Sequence, residues 1–160
     1  MRRDEAIRLL RAHGIQPSAQ RVVVAERVLD TEAHPSADQL FAEVKRALPV
    51  ISRATVYNTL NLLVERGLLR ELVLTQGRVV FDPNLSPHHH FIDDRTGVIH
   101  DVPWDSVEVR RVEALAGLDV REYQVVMRGQ RTRDGRRRPS PLSRPLPPQR
   151  GGRGGGSTES

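Results

Sequence analysis

Four of the six histidines in the chain lie in one short stretch, residues 86–101, which reads SPHHHFIDDRTGVIHD. In an extended strand, side chains two residues apart project from the same face. His88 and His90 would therefore project together, while His89 would point to the opposite face. Because imidazole nitrogen is a common ligand for divalent metals, this spacing makes the stretch a candidate metal site.

Carboxylates follow at positions that could join the same face. The run DDRTG at 93–97 predicts a hairpin turn, since Asp and Gly favour turns, and the resulting pairing puts Asp101 beside His90. Asp82 approaches from the preceding strand. Such imidazole and carboxylate donors suit Fe(II), Mn(II) or Zn(II). The hairpin alone leaves two alternatives open: a one-residue slip that substitutes His100 for Asp101, and a solvent-exposed histidine run without metal.

The composition limits the kinds of site that the chain can form. None of its 160 residues is cysteine, so disulfides and thiolate sites are excluded and a reducing compartment is expected. The start, MRRDEAIRLLRAHG, lacks the apolar segment of a signal peptide. No apolar run approaches the ~18 residues that a membrane span requires. We therefore expect a soluble cytoplasmic protein without membrane contact.

The net charge of +5 arises mainly from the C-terminal tail. Residues 130–160 carry eight arginines against two acidic residues, whereas residues 1–129 hold 17 basic and 18 acidic side chains. The tail is rich in Arg, Pro and Gly and has few apolar residues, a composition that predicts disorder. A high isoelectric point is therefore weak evidence for nucleic-acid binding by the rest of the chain.

The N-terminal half predicts a winged helix-turn-helix over residues 1–83. Apolar residues at helical spacing indicate three or four short helices, with serine N-caps at Ser18, Ser36 and Ser52. Two β-rich runs at 69–74 and 78–82 then predict a hairpin wing. In proteins of this class a polar helix face enters the major groove, and the wing contacts the backbone.

The helix predicted at 53–65 carries polar groups suited to base edges and phosphates. Its alternative interpretation is an ordinary amphipathic helix with a solvated face. The candidate DNA-binding residues lie on this helix, at its cap and on the helix that Ser18 caps. They are Arg21, Ser52, Arg53, Thr55, Tyr57 and Asn58.

Residues 84–129 predict a small α/β unit. Its expected order is strand, turn, strand, a helix over 106–116 and a strand over 120–128. A unit of this size buries too little apolar surface for a strong core of its own. We therefore expect it to form a dimer.

At this point the sequence resembles the ferric uptake regulator family of metal-dependent repressors. The resemblance runs over about residues 8–129 and rests on SAQR (18–21), HPSADQLFAEV (34–44), ISRATVYNTLNLLVERGLL (51–69), FDP (81–83), HHHF (88–91) and Asp101. It implies a homodimer that binds double-stranded DNA at an inverted-repeat operator. It also implies one divalent metal per chain, which fixes the angle between the two domains and is held by His34, Asp82, His88, His90 and Asp101.

The sequence departs from the family pattern in two places. Many relatives hold a structural zinc with two CxxC pairs, but Asp93 and Thr96 stand where the first pair would be. The structural four-cysteine zinc is therefore expected to be absent. A possible additional metal site, carried over from some members, would use His89 and Glu108, with Tyr123 standing near the third ligand position.

Two motifs of the chain resemble two different subfamilies, which sense different signals. The HHHF run without cysteine resembles iron response regulators, whose members sense haem, whereas Asp101 resembles peroxide regulators. We predict a metal-dependent repressor of iron-homeostasis or peroxide-stress genes, with a haem-responsive regulator of the same fold as the alternative. A third hypothesis, of another class, is a metalloenzyme in which histidines and carboxylates activate water. The chain lacks an evident separate general base for it.

Overall fold

The computed structural model describes residues 1–75 and 77–132. A compact unit spans Met1–Gln130, and a second unit, Arg131–Ser160, lies almost wholly outside the described residues. The predicted disorder of 130–160 concerns nearly the same residues and so lies outside the described part too. Among the described helices, none is long and apolar enough to cross a membrane.

Four α-helices form the N-terminal half. They are α1 (Arg3–Ala12), α2 (Ala19–Val28), α3 (Ala37–Ala47) and α4 (Arg53–Glu65). The three predicted serine caps are confirmed: the side chains of Ser18, Ser36 and Ser52 each accept a hydrogen bond from a backbone N–H in the first turn of α2, α3 and α4. Ser36 and Gln39 also form a reciprocal capping box.

The helices pack around one apolar core. Its residues come from all four helices and from the segments beside them, so the periodic apolar faces seen in the sequence meet one another. The fully buried members, each with no measurable exposure, are Ala6, Leu10, Val24, Ala25, Val28, Val44, Val56, Leu60 and Leu63.

The wing is an antiparallel pair, β1 (Arg70–Thr75) and β2 (Arg78–Asp82). Its two faces differ: Val73 pairs with Val79 on an exposed face, whereas Leu74 and Val80 are buried. The Phe81 N–H donates to the Pro35 carbonyl at 2.9 Å. This bond holds the end of β2 against the loop that precedes α3.

A second, three-stranded sheet follows in the order β4-β3-β5. Strand β3 (His88–Asp93) is central, antiparallel to β4 (Ile99–Pro103) and parallel to β5 (Val126–Gly129). His90 pairs with Asp101, and the Asp93 N–H donates to the Val98 carbonyl. The predicted hairpin register is therefore confirmed, and the alternative slip is excluded because His100 pairs with Phe91.

A small second core joins the wing to this sheet. Leu74 and Val80 of the wing pack with Ile92 of β3 and Ile99 of β4. The Arg128 guanidinium on β5 also donates to the Leu74 carbonyl. The mixed helix-and-sheet fold is thus the winged helix followed by a small sheet, as predicted.

The prediction of a helix over 106–116 is wrong. Short 3-10 turns at Trp104–Ser106 and Val112–Ala114 stand there, and the last strand is shorter than predicted. Val107 and Val109 alternate with charged residues and are β-branched, which disfavours a helix. No residue of 106–116 is buried, so no packed face supports a helix too short to be stable alone.

Candidate metal centre

Five potential metal-ligating side chains converge from four segments of the chain. His34 lies in the loop between α2 and α3, Asp82 at the end of β2, His88 and His90 on β3, and Asp101 on β4. One donor atom from each lies within 4.8 Å of all the others. Four of the side chains are almost fully buried, and Asp101 is 37% exposed. In the described part of the chain this is the one cluster of three or more such residues.

Local structure brings each residue to the cluster. His34 has a φ of 48°, in the left-handed region that few residues with side chains adopt. Pro35, which follows it, is held by Phe81, so His34 lies beside the last residue of β2. The alternation of β3 directs His88 and His90 to the cluster, whereas His89 stacks on the opposite side against Trp104, with ring centroids 4.6 Å apart.

The distances between donor atoms are short. His34 Nε2 lies 2.8 Å from Asp101 Oδ1, and His88 Nε2 lies 2.9 Å from Asp82 Oδ2. The Nε2 atoms of His88 and His90 are 3.0 Å apart. Two nitrogen lone pairs at that distance repel each other unless a proton or a metal cation lies between them.

The orientation of His34 also indicates that the donors point toward a common centre. Its imidazole is buried, and its Nε2 atom lies 2.8 Å from Asp101 Oδ1 and 3.6 Å from Asp82 Oδ2. Buried polar atoms are costly unless they have a partner. A divalent cation would be coordinated by the His34 Nε2 atom. The nitrogen and oxygen donors, without sulfur, fit Fe(II), Mn(II) or Zn(II).

The protonation equilibria favour a positive charge in the cluster. Burial lowers the pKa of His34, but the Asp82 and Asp101 carboxylates outweigh burial and raise that pKa above its ordinary value of 6.5. Burial raises the pKa of Asp82, but His34, His90 and the Asn84 backbone N–H outweigh it and hold the pKa well below its usual range. A bound cation would supply the charge that a proton on His34 otherwise supplies.

The residues of the possible additional metal site lie in other surroundings. His89 is fully buried and its Nδ1 accepts the Val125 N–H at 3.1 Å. Glu108 is exposed and pairs with Arg110 at 3.0 Å. Trp104 stacks on His89, and its ring is tilted by 44° to the ring of Tyr123, with centroids 4.8 Å apart. In the described part of the chain, His89 and Glu108 do not belong to any cluster of three or more potential metal ligands.

The predicted DNA-binding residues lie on or beside α4. Tyr57 is 38% exposed and Val56 is fully buried, so the helix presents the predicted face outward. Ser52 and Thr55 bond to each other at the N-cap, with their hydroxyl oxygens 2.8 Å apart. Arg21 donates to the Gln16 carbonyl at 3.1 Å. Asn58 is exposed and lies in a surface groove that Arg21 and Thr55 also line.

Asp38, at the start of α3, was not predicted and engages two of these residues. Its carboxylate pairs with Arg53 and accepts the Tyr57 hydroxyl at 2.8 Å. The Arg53 guanidinium also lies over the Phe41 ring, 4.8 Å from its centroid. No local pattern in the sequence could have indicated this interaction, because it depends on how α3 packs against α4.

Comparisons with known proteins agree with one another. The sequence profile of the ferric uptake regulator family matches residues 12–128. The chain is 31% identical to the peroxide-responsive repressor PerR of Staphylococcus epidermidis over 113 residues, 71% of this chain and 74% of that protein.

Solved structures give the same result. The Campylobacter jejuni peroxide stress regulator has 27% identity and a TM-score of 0.60, with 80% of this chain and 97% of that chain covered. The Vibrio cholerae ferric uptake regulator is similar in fold, with 23% identity, a TM-score of 0.64, and 78% and 98% of the two chains covered.

Proposed function

The chain belongs to the ferric uptake regulator family, and on that premise we propose that it is a metal-dependent transcriptional repressor. As a member of that family it is a transcriptional regulator and not an enzyme. One divalent cation per chain would be held by His34, Asp82, His88, His90 and Asp101. The observation that supports this proposal is the approach of all five donors to within 4.8 Å of one another.

The origin of the ligands supports a role in regulation. His34 and Asp82 belong to the proposed winged-helix domain, 1–83, and the other three belong to the proposed sensing domain, 84–129. A cation that needs donors from both domains binds best when they hold one relative arrangement. It favours the DNA-binding form only if it binds that form more tightly than the others.

An exposed apolar surface supports a homodimer. The apolar side chains of Leu115 and Leu118 are 48% and 65% exposed, and Val120 beside them is also exposed. A second copy would cover this surface and give 107–125 the packing that one chain does not supply. In a dimer, two α4 helices could read the half-sites of an inverted repeat about one helical turn, ~34 Å, apart.

The signal is proposed to be peroxide stress or iron. Peroxide is favoured because the chain is similar to a peroxide-responsive repressor and to a peroxide stress regulator. Fe(II) and Mn(II) are the cations to test first, because nitrogen and carboxylate donors accept both and the supply in the cell selects between them.

A cavity supports haem as a second candidate ligand. It measures about 370 Å³, lies beside His88 and His90, and is lined by Trp104 and Tyr123. An imidazole that binds haem iron would leave the five-residue cluster, so haem and the divalent cation should compete. A Soret band that forms on haem titration and is suppressed by Mn(II) would support this candidate, and the absence of the band would exclude it.

The deciding experiment measures coupling between metal and DNA. DNA containing an inverted repeat is first selected from a random pool on the Mn(II)-loaded protein. Its affinity is then measured with and without Mn(II), and Mn(II) affinity with and without the DNA. We expect both to change by the same factor, on the order of 5- to 150-fold, and a hundredfold effect corresponds to ~2.7 kcal/mol. Equal DNA affinity with and without metal would contradict the proposal.

A further inference from the structure

Asn84 contacts both carboxylates of the cluster from the turn between β2 and β3. Its backbone N–H donates to Asp82 Oδ1 at 2.7 Å. Its side-chain Nδ2 donates to Asp101 Oδ2 at 3.0 Å. One residue therefore bridges two potential ligands that lie on different strands.

These bonds occupy one oxygen of each carboxylate and leave the other directed toward the histidines. The second oxygen of Asp82, Oδ2, lies 2.9 Å from His88 Nε2. The second oxygen of Asp101, Oδ1, lies 2.8 Å from His34 Nε2. Asn84 thus determines which oxygen of each aspartate faces the centre, and it favours coordination through a single oxygen of each.

The same turn fixes the orientation of the Asn84 amide and of one imidazole. The Ser86 N–H donates to Asn84 Oδ1 at 3.2 Å, which leaves the amide nitrogen to face Asp101. The Ser86 carbonyl lies 2.7 Å from His88 Nδ1 and accepts a hydrogen bond from the N–H at that position. His88 Nε2 then carries a free lone pair toward the cluster.

We propose that Asn84 is a positioning residue of the metal site and acts through Asp101. Asp101 is the most exposed of the five side chains, at 37%, so it retains the most rotational freedom to lose on binding. The Asn84 amide restricts that freedom before a metal arrives. Asp82 is fixed by a backbone N–H, and a substitution at position 84 leaves that bond in place. This inference rests on the proposed metal function.

The test compares Asn84→Ala with wild type in titrations with Mn(II) and Co(II). We expect the affinity of Asn84→Ala to fall by about 10- to 100-fold, the usual effect of removing a group that orients a metal ligand. The visible absorption of bound Co(II) should also shift, because Asp101 no longer presents one oxygen in a fixed direction. The unfolding midpoint of the metal-free protein should stay close to that of wild type.

Ser86→Ala is the matched control from the same turn. Ser86 contributes through its backbone N–H and carbonyl, and both remain after the substitution. Its metal affinity and Co(II) spectrum should equal those of wild type. Equal affinity and spectrum in Asn84→Ala would overturn the inference and leave the proposed metal site standing. Failure of wild type to bind either ion would overturn the metal site, and this inference with it.

A double substitution tests the route through Asp101. If Asn84 acts by orienting that carboxylate, Asn84→Ala should weaken binding by less than about twofold in an Asp101→Ala background, because the group that it orients is gone. A general effect on the fold would instead reduce affinity by the same factor in both backgrounds. That multiplicative outcome would show that Asn84 does not act through Asp101 and would overturn the proposal.

Discussion

The three consecutive histidines, His88, His89 and His90, are identical side chains with different surroundings. His88 and His90 point into the donor cluster, and their Nε2 atoms lie 3.0 Å apart. His89 packs on the other face of β3, stacked on Trp104 and bonded to the Val125 N–H. Substitution should therefore affect different properties at neighbouring positions.

We predict that His90→Ala lowers Mn(II) affinity by more than ~100-fold, since even groups that only orient ligands contribute 10- to 100-fold. The metal-free fold should change little, because one of three crowded imidazoles is removed. His89→Ala should leave metal affinity close to wild type and lower the free energy of unfolding by about 1–3 kcal/mol, since the Val125 N–H loses its partner. Metal titration and chemical denaturation check both. Equal loss of metal affinity in the two variants would contradict the strand geometry.

The pKa values of His34 and Asp82 predict how pH acts on the metal-free protein. His34 has a raised pKa, so its contribution to stability is full below 6.5 and is lost as pH rises through the raised value. Asp82 has a lowered pKa, so its contribution is present above 3.8 and is lost as pH falls through the lowered value. Both contribute between these two limits. The free energy of unfolding is measured by denaturing the metal-free wild type and a His34→Gln variant at several pH values. The difference between the two proteins should be greatest between these limits.

Metal affinity should have the opposite dependence on pH. A cation must displace the proton that the cluster favours on His34, so Mn(II) should bind more tightly as pH rises above 6.5. Titrations at about pH 6 and about pH 8 measure the change. In His34→Gln this proton is absent, and the pH dependence should be smaller. An affinity that is independent of pH in wild type would mean that metal and proton do not share the site.

At the scale of secondary-structure elements, the packing of α3 against α4 determines how the proposed reading helix is presented. Asp38 on α3 holds both Arg53 and Tyr57 of α4. The Asp38 carboxylate partly neutralises the positive charge that Arg53 would present to a phosphate. Its hydrogen bond also fixes the direction of the Tyr57 ring. A carboxylate beside a DNA-binding face should therefore disfavour non-specific binding more than specific binding.

We predict that Asp38→Asn raises affinity for random DNA and steepens its log–log salt dependence by up to ~0.9, because Arg53 becomes free to bind one more phosphate. Specificity for the selected inverted repeat should fall. Binding measured on both DNAs over a range of salt concentrations checks this. An unchanged salt slope would mean that Arg53 does not reach phosphate.

Tyr57→Ala is the matched comparison from the same group of residues. It should reduce affinity for the selected repeat by about 1–3 kcal/mol and affect random DNA less. Because Tyr57 is partly exposed, its removal should leave the unfolding midpoint nearly unchanged. A large loss of stability would show that the ring belongs to the core and does not read DNA.

At the scale of the whole molecule, positive charge is concentrated in residues 130–160, which carry eight arginines. We predict that deleting 130–160 lowers affinity for random DNA and reduces the salt slope by up to ~0.9 for each phosphate that the arginines would otherwise neutralise. The ratio of affinities for the selected repeat and random DNA should not fall. A variant with these arginines changed to glutamine keeps the length and should behave like the deletion. Unchanged salt dependence in both would show that the tail does not bind DNA.

The sequence alone determined the features that depend on neighbouring residues. Serine caps and apolar spacing specified the four helices, because both act within one or two helical turns. The run DDRTG predicted the pairing of His90 with Asp101 but left a one-residue slip open, and the strand pairing in the structure decided between the two registers. Similarity to a known family, and not local physics, brought His34 into the proposed ligand set.

The tertiary structure decided what depends on packing between distant segments. It placed Asn84 between two carboxylates and Asp38 against Arg53 and Tyr57, interactions that no local pattern encodes. It also overturned the helix expected over 106–116, a segment in which no residue is buried within one chain. Local preferences are weak compared with burial, so a short segment forms its preferred structure only where the rest of the fold supplies a partner.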